Sequence, residues 1–144
     1  MSRQEIYQEI EQLFGFVPSF LKMLSDSSLE REWNLMKRIQ SEEGPIPIKY
    51  RDLMGVAISE AMKCRYSLLF HTERAKINGA THAEIEAAID FGKLSCSWST
   101  TLNGLEINDD QFKEEMKKVS DYVQSRRAAE EELYASYRGS GCCS

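Results

Sequence analysis

The sequence predicts an all-α protein, and three observations carry that prediction. Apolar residues recur every three or four positions along almost every segment. Three stretches pair a serine or threonine with a glutamate three residues later, the capping-box signature of a helix start: Ser2 with Glu5, Ser27 with Glu30 and Thr81 with Glu84. No segment alternates apolar and polar residues in the period of a half-buried strand, and there is no solenoid repeat.

The elements follow in order. Ile6, Ile10, Leu13 and Phe14 share a helical face behind the first capping box, and Gly15 offers a stop. Phe16-Val17-Pro18 leads into Phe20, Leu21 and Leu24, with Pro18 suited to a first helical turn. The second capping box opens a helix through Trp33, Met36 and Ile39 that ends near Gly44. Gly44-Pro45-Ile46-Pro47 then breaks the pattern, because proline cannot donate a helical hydrogen bond. From Lys49 to Met62 the apolar residues Leu53, Met54, Val56, Ala57, Ile58 and Ala61 cover more than one face, as in a helix buried among others. Residues 65 to 77 continue helically to Asn78-Gly79, a C-terminal signal.

The third capping box opens a helix with Ile85, Ala88 and Ile89. Beyond Gly92, the stretch from 94 to 105 reads as another buried helix, carrying Cys96 as a packed thiol and Trp98. Asn108-Asp109-Asp110 caps the last helix, from Gln111 towards Tyr137. Its apolar residues Phe112, Met116, Val119 and Val123 give way to Arg126-Arg127 and Glu130-Glu131-Glu132, so its end should project into solvent or against a partner. The chain thus divides into an N-terminal helical segment (1–26), a helical domain (27–138) and a flexible tail (139–144) ending in Cys142-Cys143-Ser144.

Composition narrows the function. With 144 residues, 42% of them hydrophobic and 28% charged, the chain can bury a core unaided. A net charge of −5 argues against nucleic-acid binding, which needs a basic excess. No apolar run is long enough to span a membrane, and the N-terminus lacks an apolar signal core, so a cytoplasmic location is expected. Four cysteines are too scattered for a secreted disulfide framework. No cofactor and no metal are expected.

Reactive side chains concentrate in Cys64-Arg65-Tyr66-Ser67-Leu68-Leu69-Phe70-His71. On a helix, Cys64, Ser67 and His71 share one face, and Ser67 and His71 are spaced for a hydrogen bond. If a helix starts at Cys64, its unpaired N–H groups, with Lys63 and Arg65 nearby, would favour a thiolate there. The plainer alternative is a buried cysteine and an ordinary polar histidine.

Four motifs then resemble a known family. Leu13-Phe14-Gly15-Phe16-Val17-Pro18-Ser19-Phe20-Leu21, Ile48-Lys49-Tyr50-Arg51-Asp52-Leu53, Cys64-x-x-Ser67-x-x-x-His71 and Asn78-Gly79-Ala80-Thr81-x-x-Glu84-Ile85 resemble the carboxymuconolactone decarboxylase family, and most of all its alkylhydroperoxidase D-like branch. The resemblance implies an alkylhydroperoxidase D-like helical bundle over 27–138 that forms homo-oligomers. It also implies a redox centre of a carboxylate, two cysteines in Cys-x-x-Cys and a histidine four residues after the second. In that branch the second cysteine attacks and the first resolves the disulfide. Those places hold Asp52, Cys64, Ser67 and His71 here.

Two departures stand out. The usual glutamate is Asp52, one methylene shorter, which suggests contact with His71 or Cys64 only through water, and Glu60, one turn before Cys64, rivals it. Ser67 replaces the second cysteine, and a hydroxyl cannot act as a redox thiol. Three readings of Ser67 stay open: an engineered or trapping substitution, a single-thiol variant working through Cys64, and a homologue without redox function. A Ser67-His71-Asp52 hydrolase triad has the residue types but no sign of a nucleophile elbow or oxyanion hole.

The expectation is a thiol–disulfide oxidoreductase acting on a disulfide or a hydroperoxide, reset by a thiol donor protein or small thiol. Cys142 and Cys143 are a candidate thiol relay, similar to the mobile dithiol arms of some thiol reductases. The alternatives are a lyase acting on a carboxylated lactone and a non-enzymatic helical assembly.

Overall fold

The computed structural model describes residues 1–139, with side chains up to residue 135. Seven α-helices and one π-helical turn make up its regular structure among the described residues: α1 (Arg3–Phe14), α2 (Ser19–Lys22), α3 (Asp26–Met36), the π turn (Lys37–Ser41), α4 (Ile48–Ala61), α5 (Arg65–Ile77), α6 (His82–Gly104) and α7 (Asp109–Gly139). The Cys142-Cys143 tail lies outside the described residues. The chain forms two compact units, residues 1–96 and the residues from Ser97 onward.

Local chemistry sets most helix ends. Ser2 caps α1 reciprocally with Glu5, and Gly15 ends it in the left-handed region at φ 80°. Thr81 and Glu84 make the same reciprocal cap before α6, and Asn108 Oδ1 accepts from Gln111 N at the start of α7. The second cap lies two residues earlier than expected. Ser25, not Ser27, accepts from the Ser28 N–H, so α3 starts at Asp26. Its far end also differs, because the α-helix stops at Met36 and widens into the π turn instead of running to Gly44.

The first unit holds two apolar clusters. Ile6, Ile10, Val17, Leu21, Leu29 and Trp33 pack α1 and α3 around α2. Trp33 is buried, and its indole N–H donates to Glu9, which also pairs with Lys37. The Lys37 ammonium, then the Trp33 indole, hold the Glu9 carboxyl below its ordinary value of 4.5. The folded state therefore gains stability from Glu9 that is fully present above that value and is lost as pH falls through the lowered one. Urea midpoints measured from neutral pH downwards should fall less steeply in Glu9→Gln than in the parent.

The second cluster joins α4, α5 and α6 through Val56, Ala75 and Ile85. Gly92 is not a break, and α6 runs through it as one helix of 23 residues. A Cβ at Gly92 would sit 2.4 Å from the Ala57 carbonyl oxygen, so the glycine lets α6 lie against the α4 backbone. Gly92→Ala should lower unfolding stability by about 1–3 kcal/mol in a denaturant titration, the usual cost of overpacking.

The stretch from 94 to 105 is not buried in the single chain. Leu94, Trp98 and Leu105 are exposed, and so are Met54 and Ile58 of α4. α4 turns only its Asp52, Gly55, Val56 and Ser59 side fully inward.

Candidate active site

The centre forms where α4 ends and α5 begins. Lys63 takes the left-handed conformation, φ 55°, and the Cys64 N–H reaches back to the Ser59 carbonyl at 3.0 Å. This tight reversal lays α5 along α4 and leaves Cys64 half-buried at the N-cap of α5, the expected position at a helix start.

Asp52 is almost wholly buried on α4. Its Oδ1 accepts from Arg74 Nε at 3.0 Å and its Oδ2 from Asn78 Nδ2 at 2.9 Å, while His71 Nδ1 lies 3.4 Å from Oδ1. The carboxylate thus reaches the histidine directly, without an intervening water. Gly55 is the reason: a Cβ there would lie 2.4 Å from His71 Cγ and Nδ1, so the imidazole can pack against the α4 backbone and meet the shorter acid. A carboxylate only accepts, so Nδ1 is the ring nitrogen that donates to Asp52 and Nε2 is the one left outside that contact.

Glu60 is not part of this cluster, because its carboxylate pairs with Lys63. Ser67 is near His71 in sequence but bonds elsewhere. Its Oγ lies 2.8 Å from Ser59 Oγ, which lies 2.6 Å from the Gly55 carbonyl. Ser59 Oγ is the donor in both contacts, with one proton to share between the Gly55 carbonyl and Ser67. The expected Ser67–His71 hydrogen bond is absent, and the hydrolase triad lacks its first link.

A cavity of about 550 Å³ opens over this cluster. Asp52, Ser67 and His71 contribute to it, with Met54, Ile58 and Ile39 among its apolar lining and Arg38 beside them. Its wall is the π turn and the loop after it. Arg51 donates to the carbonyls of Ile39, Glu42 and Ile46, and Arg74 to that of Gln40. Cys64 does not line this cavity.

Arg74, Asn78, Ser59 and Gly55 are the residues that sequence reasoning missed. A signal existed for two of them, since Ser67, His71, Arg74 and Asn78 recur at helical spacing on one face of α5. Cys96, read as a packed thiol, is half-buried, with its Sγ 3.8 Å from the Ala61 carbonyl.

The fold and site thus define an all-helical bundle with an acid–histidine pair beneath a cavity and a cysteine at the head of the same helix. The chain belongs to the carboxymuconolactone decarboxylase family, whose sequence model matches residues 29–110, more than half of the chain. Among solved structures it is similar to the alkylhydroperoxidase AhpD core of Rhodospirillum rubrum, with 24% identity and a TM-score of 0.68 over 76% of this chain and 84% of that one. That likeness is one of fold. No curated protein matches the chain.

Proposed function

We propose that this protein is a thiol-dependent oxidoreductase of the disulfide-reductase type, with its centre on Cys64, position 67 and His71. The observation that carries the reading is the Asp52–His71 pair, which leaves Nε2 as a base in the same cavity as position 67, with Cys64 one helical turn away. A thiol at position 67 would lose its proton to His71 and attack one sulfur of a disulfide, expelling the other as a thiolate. Cys64 would then displace the bound half and close the internal disulfide, which an external dithiol reduces again. A hydroperoxide enters by the same first attack, giving a sulfenic acid and an alcohol, and Cys64 expels water from it. Thiol peroxidase activity is therefore the companion reading.

With Ser67 the centre keeps one thiol, Cys64. Cys64 can open a disulfide but stalls as a mixed disulfide. The test is disulfide reduction by the present chain against its Ser67→Cys form, both without the Cys142-Cys143 tail. The tail, proposed as a relay, is scored separately by adding it back. We also assign the protein to homo-oligomers, because exposed Phe91, Leu94 and Trp98 form an apolar stripe on α6.

One observation favours a second reading. Cys64 is absent from the cavity lining, whereas His71, Asp52 and Ser67 are present, so acid–base chemistry on a carboxylated lactone needs no thiol from this pocket. Turnover of such a lactone by the present chain, unaffected by Cys64→Ala, would establish it.

A further inference from the structure

Helix α7 lies almost wholly beyond the residues that match the family, and its sequence has a period of its own. Phe112, Met116, Val119, Val123, Arg126, Glu130 and Leu133 follow one another at alternating steps of four and three. That 3.5-residue repeat keeps a single seam along a helix and is the pattern by which one helix packs lengthwise on another. Within the C-terminal unit, Phe112 lies with Leu102 and Ile107 around a small cavity. From Met116 onward the seam residues are exposed to solvent in part, Met116 44%, Val119 53%, Val123 39% and Leu133 56%.

We propose that α7 is an antiparallel self-association arm, and that its partner is α7 of a second copy of this chain. The choice of occupant and direction comes from the two charges in the seam. Arg126 and Glu130 are neighbours on one helix, 2.8 Å apart. In a parallel pair each would face its own copy, setting arginine against arginine and glutamate against glutamate. In an antiparallel pair centred between them, Arg126 of each chain faces Glu130 of the other, twice by symmetry. The same register sets Val123 against Leu133. Shifting it by a heptad either way opposes the charges to apolar residues, which leaves them desolvated without a partner. The charged pair therefore selects the direction, and this register over its one-heptad neighbours, the best-attested use of polar residues in such seams.

The test uses the full chain and does not depend on the activity. Val123→Cys and Leu133→Cys proteins are mixed, oxidised with copper phenanthroline and mapped by mass spectrometry, which separates links made by the native cysteines. The expected result is chain-to-chain 123–133 linkage in excess of 123–123 and 133–133. Arg126→Glu in both proteins should lower that yield at least about tenfold, since like charges would then face each other. Exchanging the pair, Arg126→Glu with Glu130→Arg, should restore it and show that the helix still folds. Dominant 123–123 linkage, links from 123 only to native cysteines of the same chain, or a yield indifferent to charge reversal would each overturn the proposal.

Discussion

The Ser67→Cys protein is expected to reduce disulfides catalytically where the present chain stalls, and adding His71→Ala should slow that reduction by roughly 10²–10⁴-fold, the usual worth of a positioned base. Serine and cysteine differ little in volume, and Ser59 offers a polar neighbour 2.8 Å from the position 67 side-chain oxygen, so the site accommodates the thiol, which then has only to turn from Ser59 towards His71. The base is built in advance: Asp52 holds Nδ1, and Gly55 lets the ring sit close enough for it to do so. A stopped-flow assay with an aromatic disulfide separates the first attack from release. Without added reductant the tail-deleted Ser67 protein should release at most one equivalent of thiolate from its centre and the tail-deleted Ser67→Cys form two, with repeated turnover once an external dithiol is supplied. If the tail-deleted Ser67 protein turns over as fast as the Ser67→Cys form, the two-thiol mechanism does not operate here.

Arg74→Met should cost about 3–5 kcal/mol of unfolding free energy, the range for removing one partner of a buried ion pair. Arg74 does two things at once, donating from Nε to Asp52 and from Nη2 to the Gln40 carbonyl. Without it Asp52 keeps Asn78 and the longer contact to His71, but its buried charge has no cation beside it, and a carbonyl of the π turn loses its donor. Arg74→Lys keeps the charge yet has one ammonium for two acceptors 34 residues or fewer away in sequence, so it should recover only part of the loss. Denaturant titration of the three proteins checks the order. Equal stability of parent and Arg74→Met would mean that the ion pair does not hold α4, α5 and the π turn together.

Much of this protein is local and was legible in its sequence. Ser2 with Glu5, Thr81 with Glu84, Gly15, Asn78-Gly79 and Asn108 mark helix ends because capping is chemistry between residues at most a few positions apart. The helix start at Cys64 and the shared face of Ser67 and His71 follow from the same short-range geometry. Gly92 shows the limit of that logic. As a residue type it signals a break, yet in the fold it is the one side chain small enough for α6 to touch the Ala57 carbonyl, so the helix continues. Tertiary structure alone decided which carboxylate serves His71. Spacing left Asp52 and Glu60 as rivals, and packing separated them: Glu60 turns to Lys63, while Asp52 is buried where α4 and α5 meet and is held by Arg74 and Asn78 from the facing helix. Such a choice depends on which groups two helices bring together across a gap of some twenty residues, and no local pattern encodes it.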